Sequence, residues 1–506
     1  MIVAWWLSYP LSVNSMTDAL FNHVSTLYWI GLPLTLGSLY LLSIRSNNEY
    51  VKWLAIIGIV LAINSLSYFY FMLPGSDQAT FRGMTEYFIN THNLDSTTII
   101  HSYFQWPSYF LLMNVATSIT GISISILEFI MFSVLGFLFA TALFVYYSRA
   151  FKKTGPVAVI AFFILTFYFL DFQVVPYTLA FGLLLFIFML QTRKNDFSVL
   201  IITIFLFTGI TLVHLFVPLF FIFYLAIRLI LSKDKQFGYL LVICVFIYFI
   251  VQIVMAPPAF FITMRNVFTY GSDFSQVVAQ VGTITSSQID QVAQTFSRGV
   301  AVSTALICSA GFILLIIQKK LGVTEKTILI TGLSYSIVGI VIFVLGTRAY
   351  PLIGIPVALG LSNLLQSRYR RITISVFMVL IILFTFVIVH GTSFEPQIFY
   401  QTKSDYATEN FFINNYNFTI SGLTLMHVRA GYYVQAKDPR INIEDDTYSV
   451  HFPRFNEYDY VVYTLGLGIT LSKYNLTGYS LVNEESMNVI YNSGSSFIAV
   501  KSSSFS

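Results

Sequence analysis

Apolar runs separated by short polar joints fill the chain from about residue 24 to residue 390. Most are roughly 17 to 24 residues long, the length of α-helix that crosses a hydrocarbon core about 30 Å thick. The pattern predicts spans near 24–44, 53–73, 124–147, 156–171, 173–191, 197–213, 215–232, 238–256, 298–317, 327–347, 350–366 and 372–390. One long polar stretch interrupts them. It opens at Pro74 with Pro-Gly-Ser-Asp and closes at Pro107 after His-Ser-Tyr-Phe-Gln-Trp. Inside it, the spacing of Phe81, Met84 and Phe88 predicts a helix lying on the membrane surface. A second semi-apolar segment, from Trp106 through Tyr109 and Phe110 to Gly121, is short for a span and reads as re-entrant or interfacial.

Beyond Gly391 the period changes. Tyr460-Val-Val-Tyr-Thr, Tyr479-Ser-Leu-Val, Met487-Asn-Val-Ile-Tyr and Ser496-Phe-Ile-Ala-Val predict short strands, and Asn492-Ser-Gly-Ser is hairpin chemistry. Tyr406 to Asn415 predicts a helix. The expectation is a small soluble α/β domain of about 110 residues.

Composition agrees with the pattern. Of 506 residues, 56% are hydrophobic and only 10% charged, where a soluble domain carries about 25%. A net charge of +4 without a basic cluster excludes a nucleic-acid groove. Cys244 and Cys308 both fall inside apolar runs, so neither a disulfide framework for an external domain nor a thiolate zinc site is available. The first 23 residues are apolar, without a basic start or a small-residue cleavage site, and read as an interfacial or membrane-resting segment.

Lysine and arginine orient the spans. Alternate loops carry Arg45 and Lys52; Arg149, Lys152 and Lys153; Arg193 and Lys194; Lys233 and Lys235; Lys319, Lys320 and Lys326; and Arg368, Arg370 and Arg371. The opposite loops carry only Arg82, Arg265, Arg298 and Arg348. The positive-inside rule makes that sparse side extracytoplasmic. Loops 74–123 and 257–297 and the tail then lie outside, and the tail holds both glycosylation sequons, at Asn417 and Asn475.

A few ionisable residues stand on the outer side. Asp77 follows the second span, with Arg82, Glu86, His92 and His101 in the same loop. Asp171, ahead of Pro176-Tyr177, marks the next outer turn, His214 the one after, and Arg348 the last. Each also has a plain reading: Asp77 caps a helix, Asp171 is a solvated loop charge, His214 is a hydrogen-bonded structural histidine, and Arg348 snorkels to headgroups. Glu128, one turn into its span, faces either the bundle or the interface. The acids sit at the boundary, whereas a transporter needs polar groups at mid-bilayer depth, and no internal repeat marks the inverted-repeat kind.

The ordered set resembles the GT-C superfamily of integral-membrane glycosyltransferases, in particular archaeal-type, polyprenyl-phosphate-sugar-dependent mannosyltransferases. The likeness rests on Pro-Gly-Ser-Asp at 74–77, the His101–Leu112 segment with Trp106-Pro-Ser-Tyr-Phe-Leu-Leu, Asp171 through Leu185, His214-Leu-Phe-Val-Pro, and the strand-turn-strand ending at Ile490–Val500. Residues 1–52 precede the family's first span, the acidic motif is a single Asp77, and the Trp-Trp-Asp-Tyr-Gly of oligosaccharyltransferases is absent.

The resemblance implies a mainly α, polytopic membrane helix bundle of about 11–13 spans with a small C-terminal extracytoplasmic α/β domain. It divides the chain into an interfacial segment plus first span (1–52), a GT-C-like core (53–256), a large external loop (257–297), C-terminal spans (298–391) and the soluble domain (392–506). It further implies transfer of a sugar from a polyprenyl (dolichyl) phosphate to an extracytoplasmic glycan or protein, with inversion and with Asp77 as general base. Asp171, His101, His214, Tyr177, Trp106 and Glu86 would bind substrate; Arg348, with Arg265 and Arg298 as alternates, would meet the lipid phosphate. A divalent metal, if held, would fall to Asp77, Asp171 and a histidine, an oxygen-rich set suiting magnesium or manganese. The implied setting is a cell membrane, among lipids and other envelope proteins. An inactive GT-C-like assembly subunit and, behind it, a transporter are the alternatives.

Overall fold

The structure, a computed structural model, describes residues 25–65, 76–94, 100–151, 153–170, 174–192, 197–255, 288–341, 343–393 and 403–415, with 424–426, 433–434, 437, 443–445, 460–463, 487–492 and 497–501 of the tail. The helices are α1 (Thr26–Arg45), α2 (Glu49–Asn64), α3 (Ser76–Thr91), α4 (Ser108–Thr120), α5 (Ile124–Ala150), α6 (Gly155–Leu170), α7 (Pro176–Leu190) and α8 (Phe197–Val213). They continue with α9 (Val217–Ser232), α10 (Lys235–Met255), α11 (Gln288–Ile317), α12 (Val323–Val341), α13 (Phe343–Gln366), α14 (Arg370–Ser393) and α15 (Lys403–Asn415). Each of the twelve spans read from the sequence overlaps one of these helices. Among the described residues, Thr26–Arg45, Ile124–Ala150, Lys235–Val254 and Gly299–Ile317 are each long and apolar enough to cross a membrane.

Local chemistry sets the helix ends. Asn48 Oδ1 accepts the Tyr50 N–H at 2.9 Å and caps α2. Gly121, at φ +69°, closes α4 in the left-handed conformation that a Cβ would disfavour. At 13 residues, α4 is too short to span a bilayer, and its outer side leaves Leu111, Leu112, Val115 and Ile119 exposed.

At the centre of the bundle lies α6, apolar all round and buried from Gly155 to Thr166. A helix without a polar stripe belongs inside, and α5 and α13 pack against it. Small residues allow the closest crossings. A Cβ on Gly360 of α13 would overlap the Cys308 carbonyl of α11. The helix ahead of the resembled region is part of the bundle too: α1 packs on α2 and α14, with Tyr40 and Phe377 rings 5.5 Å apart.

The connections sort into two ends. At one, the basic loops meet: Lys52 Nζ donates to the Lys153 carbonyl at 3.3 Å, Arg149 to Thr192, and Thr154 and Ser362 bond reciprocally. At the other stand α3, α4, the turn before α7, the α8–α9 turn and part of the tail. In the tail, β1 (Thr424–Met426), β2 (Ile443–Asp445), β3 (Tyr460–Tyr463), β4 (Met487–Asn492) and β5 (Phe497–Lys501) form a mixed sheet in the order β2-β1-β3-β5-β4. β1 runs parallel to β2 and β3, β4 and β5 pair as an antiparallel hairpin, and α15 packs on β3, β4 and β5. The strand expected from Tyr479 lies outside the described residues; β1 and β2, at three residues each, were not read from the sequence.

Candidate functional site

The site end is built on α3, and its burial departs from expectation. The spacing of Phe81, Met84 and Phe88 predicts a helix lying on the membrane surface. Instead its residues from Gln78 to Phe88 are buried, apart from the half-buried Thr80 and Tyr87. Phe81 and Phe88 join an aromatic layer with Tyr103, Phe104, Tyr109 and Phe110. Gln78, Arg82 and Glu86 recur every fourth residue, so they form one polar row along the helix. At its Glu86 end the row meets the tail, through Tyr433 and Lys437, which a single-helix pattern cannot show.

Arg82 is wholly buried and is the hub of the row. Its Nε donates to Glu86 Oε1 at 3.2 Å, its Nη1 lies 3.7 Å from Glu128 Oε2 on α5, and its Nη2 donates to Ser125 at the start of α5. Glu86 also accepts from Tyr433 Oη at 2.7 Å and from Lys437 Nζ at 2.9 Å. Lys437 in turn donates to Asn410 of α15. Burial alone would push the Glu86 carboxyl up; Arg82, Lys437 and the Tyr433 and Lys437 hydrogen bonds together outweigh it and hold the carboxyl below its ordinary value. Glu128, 1% exposed, faces the bundle. The sequence places Arg82 and Glu86 in one loop; their pairing and the links to Glu128, Tyr433 and Lys437 appear only in the structure.

Gln78 joins α3 to the turn that follows Asp171. Its Oε1 accepts the Val174 N–H at 2.7 Å, and Tyr109 Oη donates to the Val174 carbonyl at 2.6 Å. The neighbouring turn holds His214, whose Nδ1 accepts the N–H of Phe216 at 3.1 Å and of Val217 at 3.4 Å and so caps α9. That bonding assigns the ring proton of the neutral tautomer to Nε2. The His214 ring stands edge-on to Tyr177, 5.6 Å between centroids, and 6.5 Å from Tyr103. Trp106 packs on Tyr103 and donates from Nε1 to Gln252 of α10 at 3.2 Å.

The structure thus brings Glu86, Trp106, Tyr177 and His214 to one end of the bundle. Asp171, Arg265, Asn417 and Asn475 lie outside the described residues. Asp77 falls at the second position of α3, His101 in the 3-10 turn Ile100–Gln105, Arg298 in α11 and Arg348 in α13, and their side chains lie outside the described ones. Among the described residues no three His, Cys, Asp or Glu side chains gather as a metal cluster.

No protein-family model matches the chain, and no curated protein matches it by sequence. The fold does have a solved counterpart. Over 90% of this chain and 98% of the other, the structure is similar to ArnT from Cupriavidus metallidurans, crystallised with undecaprenyl phosphate, with a TM-score of 0.53 at 11% identity. The chain therefore has a GT-C-like fold, a polytopic membrane bundle carrying a small α/β domain. At that identity the likeness defines architecture only.

Proposed function

We propose that this chain is an integral-membrane glycosyltransferase that moves a sugar from a polyprenyl-phosphate donor to an extracytoplasmic acceptor. The supporting observation is likeness over 90% of the chain to ArnT, solved with undecaprenyl phosphate. A second observation supports the location. Gln78, next to Asp77, is hydrogen bonded to Val174, so the start of α3 and the turn ahead of α7 meet at one end of the bundle.

In this reading the donor enters sideways from the bilayer and the acceptor from water. The Asp77 carboxylate removes the acceptor hydroxyl proton as that oxygen attacks the anomeric carbon from the face opposite the phosphate. The bond from the anomeric carbon to the phosphate oxygen breaks, the polyprenyl phosphate leaves with its electron pair, and the sugar configuration inverts. Arg348 stabilises the charge gathering on the phosphate, since guanidinium matches phosphate geometry. His101, Tyr177, Trp106 and Asp171 are the residues we assign to binding sugar or acceptor.

The test is Asp77→Asn in reconstituted membranes with polyprenyl-phosphate sugars of several kinds. Transfer should fall by about 100-fold or more, the scale of a lost general base, while expression and thermal stability stay unchanged. Near-normal turnover removes Asp77 from the role. A wild-type chain that moves no sugar from any polyprenyl donor removes the function.

A further inference from the structure

The tail reaches α3 through charged and hydroxyl groups, and α3 is the helix whose first turn carries Asp77. We infer that Tyr433 and Lys437 are positioning residues: by clamping Glu86 they hold α3, and through it the Asp77 end, in register with the membrane core. This rests on the proposed transferase reading. Three observations carry it. The contact is polar and buried, with Glu86 8% exposed and Tyr433 fully buried. Glu86 is shared, since Arg82 binds the carboxylate from within α3 while Tyr433 and Lys437 bind it from the tail. Arg82 then passes the connection to Ser125 and Glu128 of α5. This path from tail to bundle runs through α3, at residues two to three turns from Asp77.

A dedicated polar clamp does something that apolar packing would not. Apolar surfaces slide at low cost, whereas a buried carboxylate shared by a guanidinium, an ammonium and a phenol tolerates few geometries. A shift of about 1 Å in a catalytic group costs on the order of 100-fold in rate, so a helix bearing the base gains from being pinned at both ends. Gln78 pins the near end to Val174; the tail pins the far end. The soluble domain is on this account a working part of the transferase.

The experiment has one arm that reads docking and one that reads catalysis, both on the full chain in lipid nanodiscs. Hydrogen exchange over residues 76–91 should quicken in Lys437→Met and in Glu86→Gln, and return towards the wild-type rate in Lys437→Arg. Unchanged exchange in both loss variants overturns the clamp. In the second arm, Lys437→Met should lower kcat about 10- to 100-fold with the donor KM near its wild-type value, the mark of misplaced chemistry rather than lost ground-state binding. Lys437→Arg should recover most of it. Quickened exchange with unaltered kcat, or an equal rise in KM, overturns the positioning role. A wild type without transfer removes the proposed function and this role with it, and the exchange arm then decides the docking by itself.

Discussion

Replacing Arg82 by Met tests whether the buried charge network holds the site end together. Arg82 has no exposed surface, and Glu128 beside it is 1% exposed. Glu86 would keep Lys437 at 2.9 Å, but Glu128 would lose the one cation paired with it among the described residues. Removing one partner of a buried ion pair typically costs about 3–5 kcal/mol, because the other charge is left without compensation. That is a large share of the roughly 5–15 kcal/mol by which a folded protein is stable. The remedy follows from the cause. Adding Glu128→Gln to Arg82→Met removes the stranded charge, so the double variant should be more stable than Arg82→Met alone. A coupling of about 1–3 kcal/mol is expected between groups in one network. The assay is thermal unfolding of purified protein in lipid nanodiscs, with SDS titration as a second measure. Loss of less than 1 kcal/mol in Arg82→Met, or strictly additive losses in the double variant, would refute the network.

Gly360→Ala should destabilise by about 3 kcal/mol, at the upper end of overpacking costs, because the atoms met are the backbone of α11 and cannot rotate away; a melting temperature unchanged by the substitution would contradict the crossing. Tyr109→Phe removes the bond to the Val174 carbonyl, and a loss of about 1 kcal/mol with faster amide exchange at 174–180 is expected; exchange confined to other segments would argue against that bond. The Glu86 carboxyl is held below its ordinary value of 4.5 in the folded state. It therefore contributes stability that is present above about pH 4.5 and is lost as the pH falls through the lowered folded-state value. Contact between α3 and the tail should loosen in that acid window in the wild type, and Glu86→Gln should lack the acid step; identical acid profiles would sink the assignment.

Much of the architecture could be read locally. Each of the twelve apolar runs overlaps a helix of the bundle, because a bilayer demands an uninterrupted apolar helix whatever its neighbours are. The β4–β5 hairpin followed from Asn492-Ser-Gly-Ser between alternating runs. The site was legible only in part. Trp106, Tyr177 and His214 were picked as outer-end residues and are found together, yet the capping of α9 by His214 needed coordinates to be seen. The same holds for α3: the spacing of Phe81, Met84 and Phe88 gives the helix, and nothing nearby in sequence announces that Tyr433, 347 residues away, meets Glu86.

The sequence by itself determined that this chain lives in a membrane, where its helices run, and which loops carry the basic charge. Those properties depend on each segment's own transfer from water to hydrocarbon, a sum over neighbouring residues. Only the tertiary structure decided that Arg82 is buried, that Glu86 is shared between bundle and tail, and that Gln78 meets Val174. Those pairings depend on distant groups losing water together, so that each becomes affordable only when its partner is already in place.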